Sequence, residues 1–326
     1  MTGTRRRIIP SLVIGAALLS AIVLLSVVVT LWPPYDPMAA SGAAFLGPST
    51  KHLLGTDHLG RDTFTRLAIA ASTTLAISGS AALLGAVLGG AFGLAAGYAG
   101  GVTDAIIMRS ADVLLAIPAI LMALIVRVIL GPGAMPMILA LGIVLAPTFA
   151  RVVRAPVLSL RHRDFVVAAQ LSGIHPLRIT VTHLLPNVLT PLLIQFAAAA
   201  SSVVLLEAAL SYLGQGVQPP SPSAGRMIVE SQRFLQTDPL LLIAPAFVIV
   251  LLSAAWNLLA DGLQLQFSPR EESGLPGNRA RRRRTQRRPG TAVPSPASAA
   301  PSRTATDRTP SAADADARPE ITQPEG

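Results

Sequence analysis

The sequence has no cysteine in 326 residues. Disulfides, thiolate metal sites and cysteine nucleophiles are excluded with it. Lysine occurs once, at Lys51, among 26 basic residues, with Thr50 before it and His52 after it. A P-loop needs Gly-Lys followed by Ser or Thr, because that lysine and the neighbouring backbone N–H groups hold the phosphates. Nucleotide hydrolysis linked to this chain must therefore be the work of a partner. Charge is also scarce: 13% of residues are charged against 51% hydrophobic, with a mean hydropathy of +0.56. Soluble domains carry about 25% charged residues, so the composition is that of an integral membrane protein, here with net charge +9. No serine or threonine sits in a nucleophile-elbow pattern. The histidines, His52, His58, His162, His175 and His183, show no HExxH spacing. His52, Asp57 and His58 fall close together in one loop, where a metal contact competes with a plain structural or solvated role; we read the latter, and assign no metal.

About 20 apolar residues carry a helix across the hydrocarbon core. Six runs qualify, at 9–32, 68–97, 105–130, 134–155, 188–212 and 240–262. The fold class read from them is all-α, a polytopic membrane protein of six spans. Arg5-Arg6-Arg7 before the first run and small residues after it (39–44) resemble a signal peptide, but a signal core is typically about 7–15 residues. The longer run reads as an uncleaved span. Residues 1–32 are then the N-terminus and first span, 33–67 an outer loop, 68–262 a five-span core, and 263–326 a tail.

Basic residues set the orientation. With the N-terminus inside, twenty lie on the inner side, among them Arg109, Arg151, Arg154, Arg161, Arg163 and Arg178. Five lie outside: Lys51, Arg61, Arg66, Arg226 and Arg233. Without the tail the count is still nine to five, so both termini and the loop at about 156–187 face the cytoplasm. From Glu271 the tail has no aromatic residue and eight prolines, and seven of residues 279–288 are arginine. Such a segment buries too little apolar surface to fold. It suits contact with anionic lipid better than nucleic acid, since nothing aromatic interleaves the charges.

Gly85, Gly89, Gly93 and Gly97 recur every four residues in the second run. On a helix they form one stripe, and in lipid small residues let backbones approach closely. The stripe suits another span of this chain or a partner subunit. Arg127, four residues before Gly131, reads as snorkelling outward. Glu207 falls near the outer end of the fifth run. No carboxylate or histidine is stranded at mid-membrane, which counts against a proton- or sodium-coupled carrier.

The loop between the fourth and fifth runs, FVVAAQLSGIHPLRITVTHLLPN (165–187), is too polar to cross a bilayer and too apolar for a plain loop. Gly173 and Pro176 divide it into two short helices. Such a hairpin can dock apolar face first in a groove on a soluble partner, with Arg161, Arg163, Asp164 and Arg178 setting register at the rim. The alternative is a hairpin lying on the lipid surface.

Ala168-Ala169, three further residues, Gly173, and Leu185-Pro186 twelve residues on resemble the EAA loop of ABC importer permeases. HLLPN (183–187) is similar to the form of that loop in the peptide/nickel permease family. Val167 stands where the loop's glutamate is usual. GTDHLGRDTFTRL (55–67), GYAGGVTDAIIMRSADVLLAIPAIL (97–121), EAALSYLGQGVQPPSPSAG (207–225) and NLLADGLQLQFSPR (257–270) resemble further stretches of the same family, in order. Ala224, Ala260 and Ser268 depart from its usual tryptophan, glycine and aspartate.

The resemblance covers about residues 1–270 and implies a type I ABC importer architecture. It implies the second, C-type permease of a dipeptide or oligopeptide importer. The implied partners are a homologous B-type permease, two cytoplasmic ATPases, an extracytoplasmic substrate-binding protein and the lipid membrane. ATP and Mg would be used by the ATPases, with no cofactor on this chain. Asp164, Ala168, Ala169, Gly173, Arg178, His183, Leu185, Pro186 and Asn187 then form the ATPase-coupling loop. Small residues at 168, 169 and 173 would let it seat, and Pro186 and Asn187 would end it. The rival readings are a nickel or other small-solute permease of the same family and an ATP-independent carrier.

Overall fold

A computed structural model describes residues 10–219 and 221–267. The Arg5-Arg6-Arg7 cluster and the arginine-rich tail lie outside the described residues. Regular structure in the described residues is helical: α1 (Pro10–Leu31), α2 (Thr63–Ala99), α3 (Gly101–Ala116), α4 (Ala119–Leu130), α5 (Ala134–Leu160), α6 (Asp164–Leu171), α7 (Pro176–Ile179), α8 (Leu185–Tyr212), α9 (Ala224–Ser231) and α10 (Leu240–Phe267). Five helices are long and apolar enough to cross a membrane: α1, α2, α5, the α7–α8 rod and α10. The pair α3 and α4 makes a sixth span if taken together.

That pair is not the single straight helix that the 105–130 run suggests. Its limbs meet at 95°. Pro118 has no N–H to donate and forces the residue before it out of the α region, and Ile117 accordingly sits at φ −84°, ψ 129°. A hydropathy run passes through such a proline without a mark.

The second span starts earlier than its apolar run. Asp62 caps α2, accepting from the Thr65 backbone N–H at 2.8 Å and its hydroxyl at 2.7 Å. A capping carboxylate satisfies donors the helix cannot, so regular helix begins at Thr63 and runs 37 residues.

The longest pairing is α2 on α5, with α8 and α10 completing the bundle and α1 laid along α10. Close approach at glycine builds the α1–α10 seam from both sides. A Cβ on Gly15 would stand 2.6 Å from the Leu259 backbone nitrogen, and one on Gly262 2.5 Å from the Leu12 Cα. The main core joins α2, α5, α8 and α10 through Ile77, Leu141, Phe149, Val203 and Leu252. Between α8 and α10, Ser201 and Ser253 share a hydroxyl–hydroxyl bond of 2.8 Å, and Asn257 donates to Ser201 at 2.8 Å. These bonds satisfy polar groups that lipid cannot.

Candidate functional site: the hairpin and the opposite end of the bundle

The two ends of the bundle are built differently. One end carries the α2–α3 turn and the hairpin between α5 and α8. The other carries the 33–62 loop, the 131–133 turn, and the segment from α8 through α9 to α10.

In the hairpin, α6 begins at Asp164, whose charge suits a helix N-terminus. It ends in a turn at Gly173, with φ +73°, a left-handed conformation that glycine adopts at no steric cost. The Gly173 N–H bonds the Gln170 carbonyl at 3.0 Å, and the Ile174 N–H the Ala169 carbonyl at 3.2 Å. The His175 ring nitrogen then caps α7, accepting from the Leu177 N–H at 3.3 Å. Inside the hairpin, Val166, Ala169, Ile179 and Leu184 pack with Val153, Val157 and Val188, which fastens it to α5 and α8.

Among the small residues of the EAA pattern, only Ala169 is buried; Ala168 and Gly173 face out. A Cβ on Gly173 would meet nothing within 4 Å. Smallness at 168 and 173 is therefore not demanded by this chain's own packing. Asp164, Arg178, Pro186 and Asn187 are exposed, and Leu185 is half-buried against the hairpin core. His183 stacks on Phe165, ring centroids 6.3 Å apart. A crest of exposed apolar side chains runs over the top: Phe165, Val167, Leu171 at 85% exposure, Leu177 and Val181.

Two expectations are corrected here. Pro186 and Asn187 do not end the hairpin. Helix continues from Pro176 to Tyr212 as one rod, passing through a π turn at Thr180–Leu184 where the Leu185 N–H reaches back to the Thr180 carbonyl. A π turn accommodates a proline by rearranging the bonds around it, and Asn187 adds a side-chain bond to the His183 carbonyl at 2.6 Å. Arg161 is not at the rim. It is half-buried, folding back to donate to the Gly97 carbonyl at the end of α2.

The glycine stripe of α2 faces α5. A Cβ on Gly85 would lie 2.8 Å from the Leu145 Cβ, on Gly89 2.6 Å from the Phe149 Cβ, on Gly93 2.9 Å from the Val153 Cβ, and on Gly97 2.7 Å from the Val157 Cβ. Two ion pairs clip α3 across the same helix, Asp104–Arg154 and Asp112–Arg151, the latter at 2.6 Å.

At the opposite end a largely buried ion network joins the 33–62 loop and the start of α2 to α9, far away in sequence. Asp57 receives Arg61 at 2.8 Å and is also paired with Arg66. Arg66 donates on to Glu230 at 2.8 Å, and Glu230 receives Arg226 at 2.9 Å. Burial alone would raise the Asp57 carboxyl. The Arg61 and Leu59 N–H groups and the two arginine charges outweigh it and hold it below the usual aspartate value. Glu230 is also lowered, with burial again opposed by Arg66 and Arg226. His52 bonds Asp62 at 2.9 Å, so His52 and Asp57, weighed above as metal contacts, are each engaged by another side chain.

Buried charge also appears within the helices. Arg127 is 2% exposed. It does not snorkel to water but turns onto backbone carbonyls of Gln215, Gly216 and Gly131. Glu207 is 0% exposed; it accepts from Ser211 at 2.9 Å and Thr74 at 3.4 Å. Sequence reading missed the Arg127–Gln215, Arg127–Gly216 and Glu207–Thr74 pairings because they link residues 88, 89 and 133 positions apart.

The family described as binding-protein-dependent transport system inner membrane component matches residues 89–273, which include α3 through α10 and the hairpin. The chain belongs to this family. The dipeptide transport system permease protein DppC of Alkalihalophilus pseudofirmus is 36% identical over 227 residues, 70% of this chain and 75% of that protein. The dipeptide permease DppC of Haemophilus influenzae is 34% identical over 264 residues, 79% and 90% of the two chains. The glutathione transport system permease protein GsiD of Escherichia coli is 39% identical over 224 residues, 69% and 74%. This inner membrane component is thus a permease of an ABC transport system, and its hairpin lies inside the matched region.

Proposed function

We propose that this permease is one of two homologous membrane subunits of an ATP-driven importer of di- or oligopeptides. The hairpin docks on a cytoplasmic ATPase partner, and a second copy of that docking serves the B-type permease. An extracytoplasmic binding protein delivers substrate at the opposite end, and ATP and Mg act on the ATPases. Both termini then face the cytoplasm. The peptide class is supported by what the relatives are named for. The coupling role is supported chiefly by one observation: an exposed apolar crest sits on a hairpin whose second limb is the same rod as α8. Displacing the crest must tilt that span.

The test is Leu171→Asp. Leu171 lies in regular helix and its side chain is almost wholly exposed, so the substitution leaves the fold of this chain intact. In a docked interface it places an unpaired carboxylate against an apolar groove, where desolvation is costly. Membrane insertion and pairing with the second permease are expected unchanged. ATPase binding to purified complex should fall at least tenfold, and uptake with it. Normal ATPase binding and uptake would overturn the coupling role.

A further inference from the structure

One guanidinium joins two helices at the end of the bundle remote from the hairpin. Arg127 lies on α4, four residues before the Gly131 that follows it. Its Nε donates to the Gln215 carbonyl at 2.9 Å and one Nη to the Gly216 carbonyl at 3.0 Å; the other Nη donates to Gly131. The first two acceptors belong to the turn that follows α8, the third to the end of α4. Elsewhere α4 packs along α5 and touches α8 only lightly. The turn is equally fixed to α8. A Cβ on Gly216 would stand 2.6 Å from the Ser211 Cα, Val217 is buried in the main core, and Ser211 is held by Glu207 at 2.9 Å. Glu207 in turn bonds Thr74 of α2. The turn cannot shift without α8, and through Arg127 it cannot shift without α4.

We propose that Arg127 is a positioning residue for transport: it locks the remote ends of α4 and α8 into one unit. A tilt that the hairpin imposes on α8 is thereby carried to α4. Without Arg127, α4 rides mainly on α5 and meets α8 at only a few positions, so a tilt of α8 would reach it weakly. The chemistry fits arginine specifically, because a planar fork of donors can serve several carbonyls at once, whereas a lysine ammonium acts as a single point. The inference rests on reading the hairpin as the ATPase-coupling element.

This chain lacks cysteine, so maleimide label read on this chain's own gel band reports only an introduced thiol. In the full complex, with ATPases and binding protein, a single Val217→Cys reports on the turn through its labelling by a membrane-impermeant maleimide. Against that background, Arg127→Met is expected to raise the labelling rate at least tenfold and lower transport at least tenfold, with ATP hydrolysis within twofold and complex recovery unchanged. Arg127→Lys should move labelling and transport in the same direction, and it decides the matter if the methionine variant does not assemble. The proposal is overturned if Arg127→Lys labels and transports like the parent. It is equally overturned if both variants lose transport only in proportion to lost assembly, which is a folding role. A complex that still transports after its ATPase P-loop lysine is replaced would instead overturn the coupling reading, whatever the Arg127 variants do.

Discussion

Arg66 shows at the scale of single residues how charge is kept inside this protein. It faces Asp57 and Glu230 at once, and removing it leaves two carboxylates short of a partner. Losing one member of a buried ion pair costs about 3–5 kcal/mol; Glu230 is 22% exposed at its side chain, which puts Arg66→Met near the low end, about 3 kcal/mol. The pH dependence follows from the direction of the shifts. Both carboxylates are held below their ordinary values of 3.8 and 4.5. Their stabilisation is fully present above those values and is lost as pH falls through the lower folded ones. In Arg66→Met one cause of lowering is gone at each carboxylate, while the Arg61 and Leu59 contacts of Asp57 and the Arg226 contact of Glu230 remain, so both carboxylates protonate sooner than in the parent and the stranded charge disappears on acidification. The difference in melting temperature between parent and variant should therefore be largest near pH 7 and shrink below about pH 4.5. A difference that stays constant or widens would show that the arginine acts by packing alone. None of this was legible in the sequence, where Arg66 and Glu230 are 164 residues apart and each looks like an ordinary outer-loop charge.

Among the elements, the α2–α5 seam is the one the sequence marks most plainly, because a four-residue glycine period survives in a linear reading. What the period does not say is which helix lies opposite, and the structure puts α5 there. Leucine at Gly89 would drive its side chain into Phe149 and the Ala146–Ala150 backbone; at Gly93, into Val153 and Ala150. Overpacking of this kind costs about 1–3 kcal/mol in a packed core, and in lipid helix association leans on close contact and polar bonds in place of the hydrophobic effect. Gly89→Leu and Gly93→Leu should each reduce the folded permease recovered from membranes severalfold. Leu88→Ala should not, since Leu88 lines the side of α2 toward α3. The reverse order of recovery at matched expression would show that the seam is misassigned. The broken third span and the unbroken hairpin limb were illegible for a shared reason. A proline's effect depends on the bonds around it: Pro118 sits where no turn absorbs it and the chain bends by 95°, whereas Pro186 follows a π turn and the helix runs on.

At the scale of the whole molecule, the six apolar runs and the hairpin were legible because both are statements about hydropathy, which needs no knowledge of partners. Orientation rests on charge in the same way. Arginine and lysine at the centre of a span cost about 2.5–3.5 kcal/mol each on insertion, and their excess in short loops keeps those loops on the cytoplasmic side. The hairpin end holds Arg161, Arg163 and Arg178 and abuts Arg109, Arg151 and Arg154; with Arg5, Arg6 and Arg7 ahead of the first span these are nine, against six at the other end with Arg127 counted, even when the tail is left out. Because the chain lacks cysteine, one substitution at a time marks each end. Lys51→Cys lies on the exposed surface of the 33–62 loop and Thr182→Cys on the exposed side of the hairpin. In spheroplasts, an impermeant maleimide should label Lys51→Cys at once and Thr182→Cys only after lysis. A chain truncated after Arg270 should give the same pattern, since the described helices and their charge bias remain. Thr182→Cys labelled from outside, with Lys51→Cys protected until lysis, would invert the topology, place the hairpin where no cytoplasmic ATPase can reach it, and remove the basis for its coupling role.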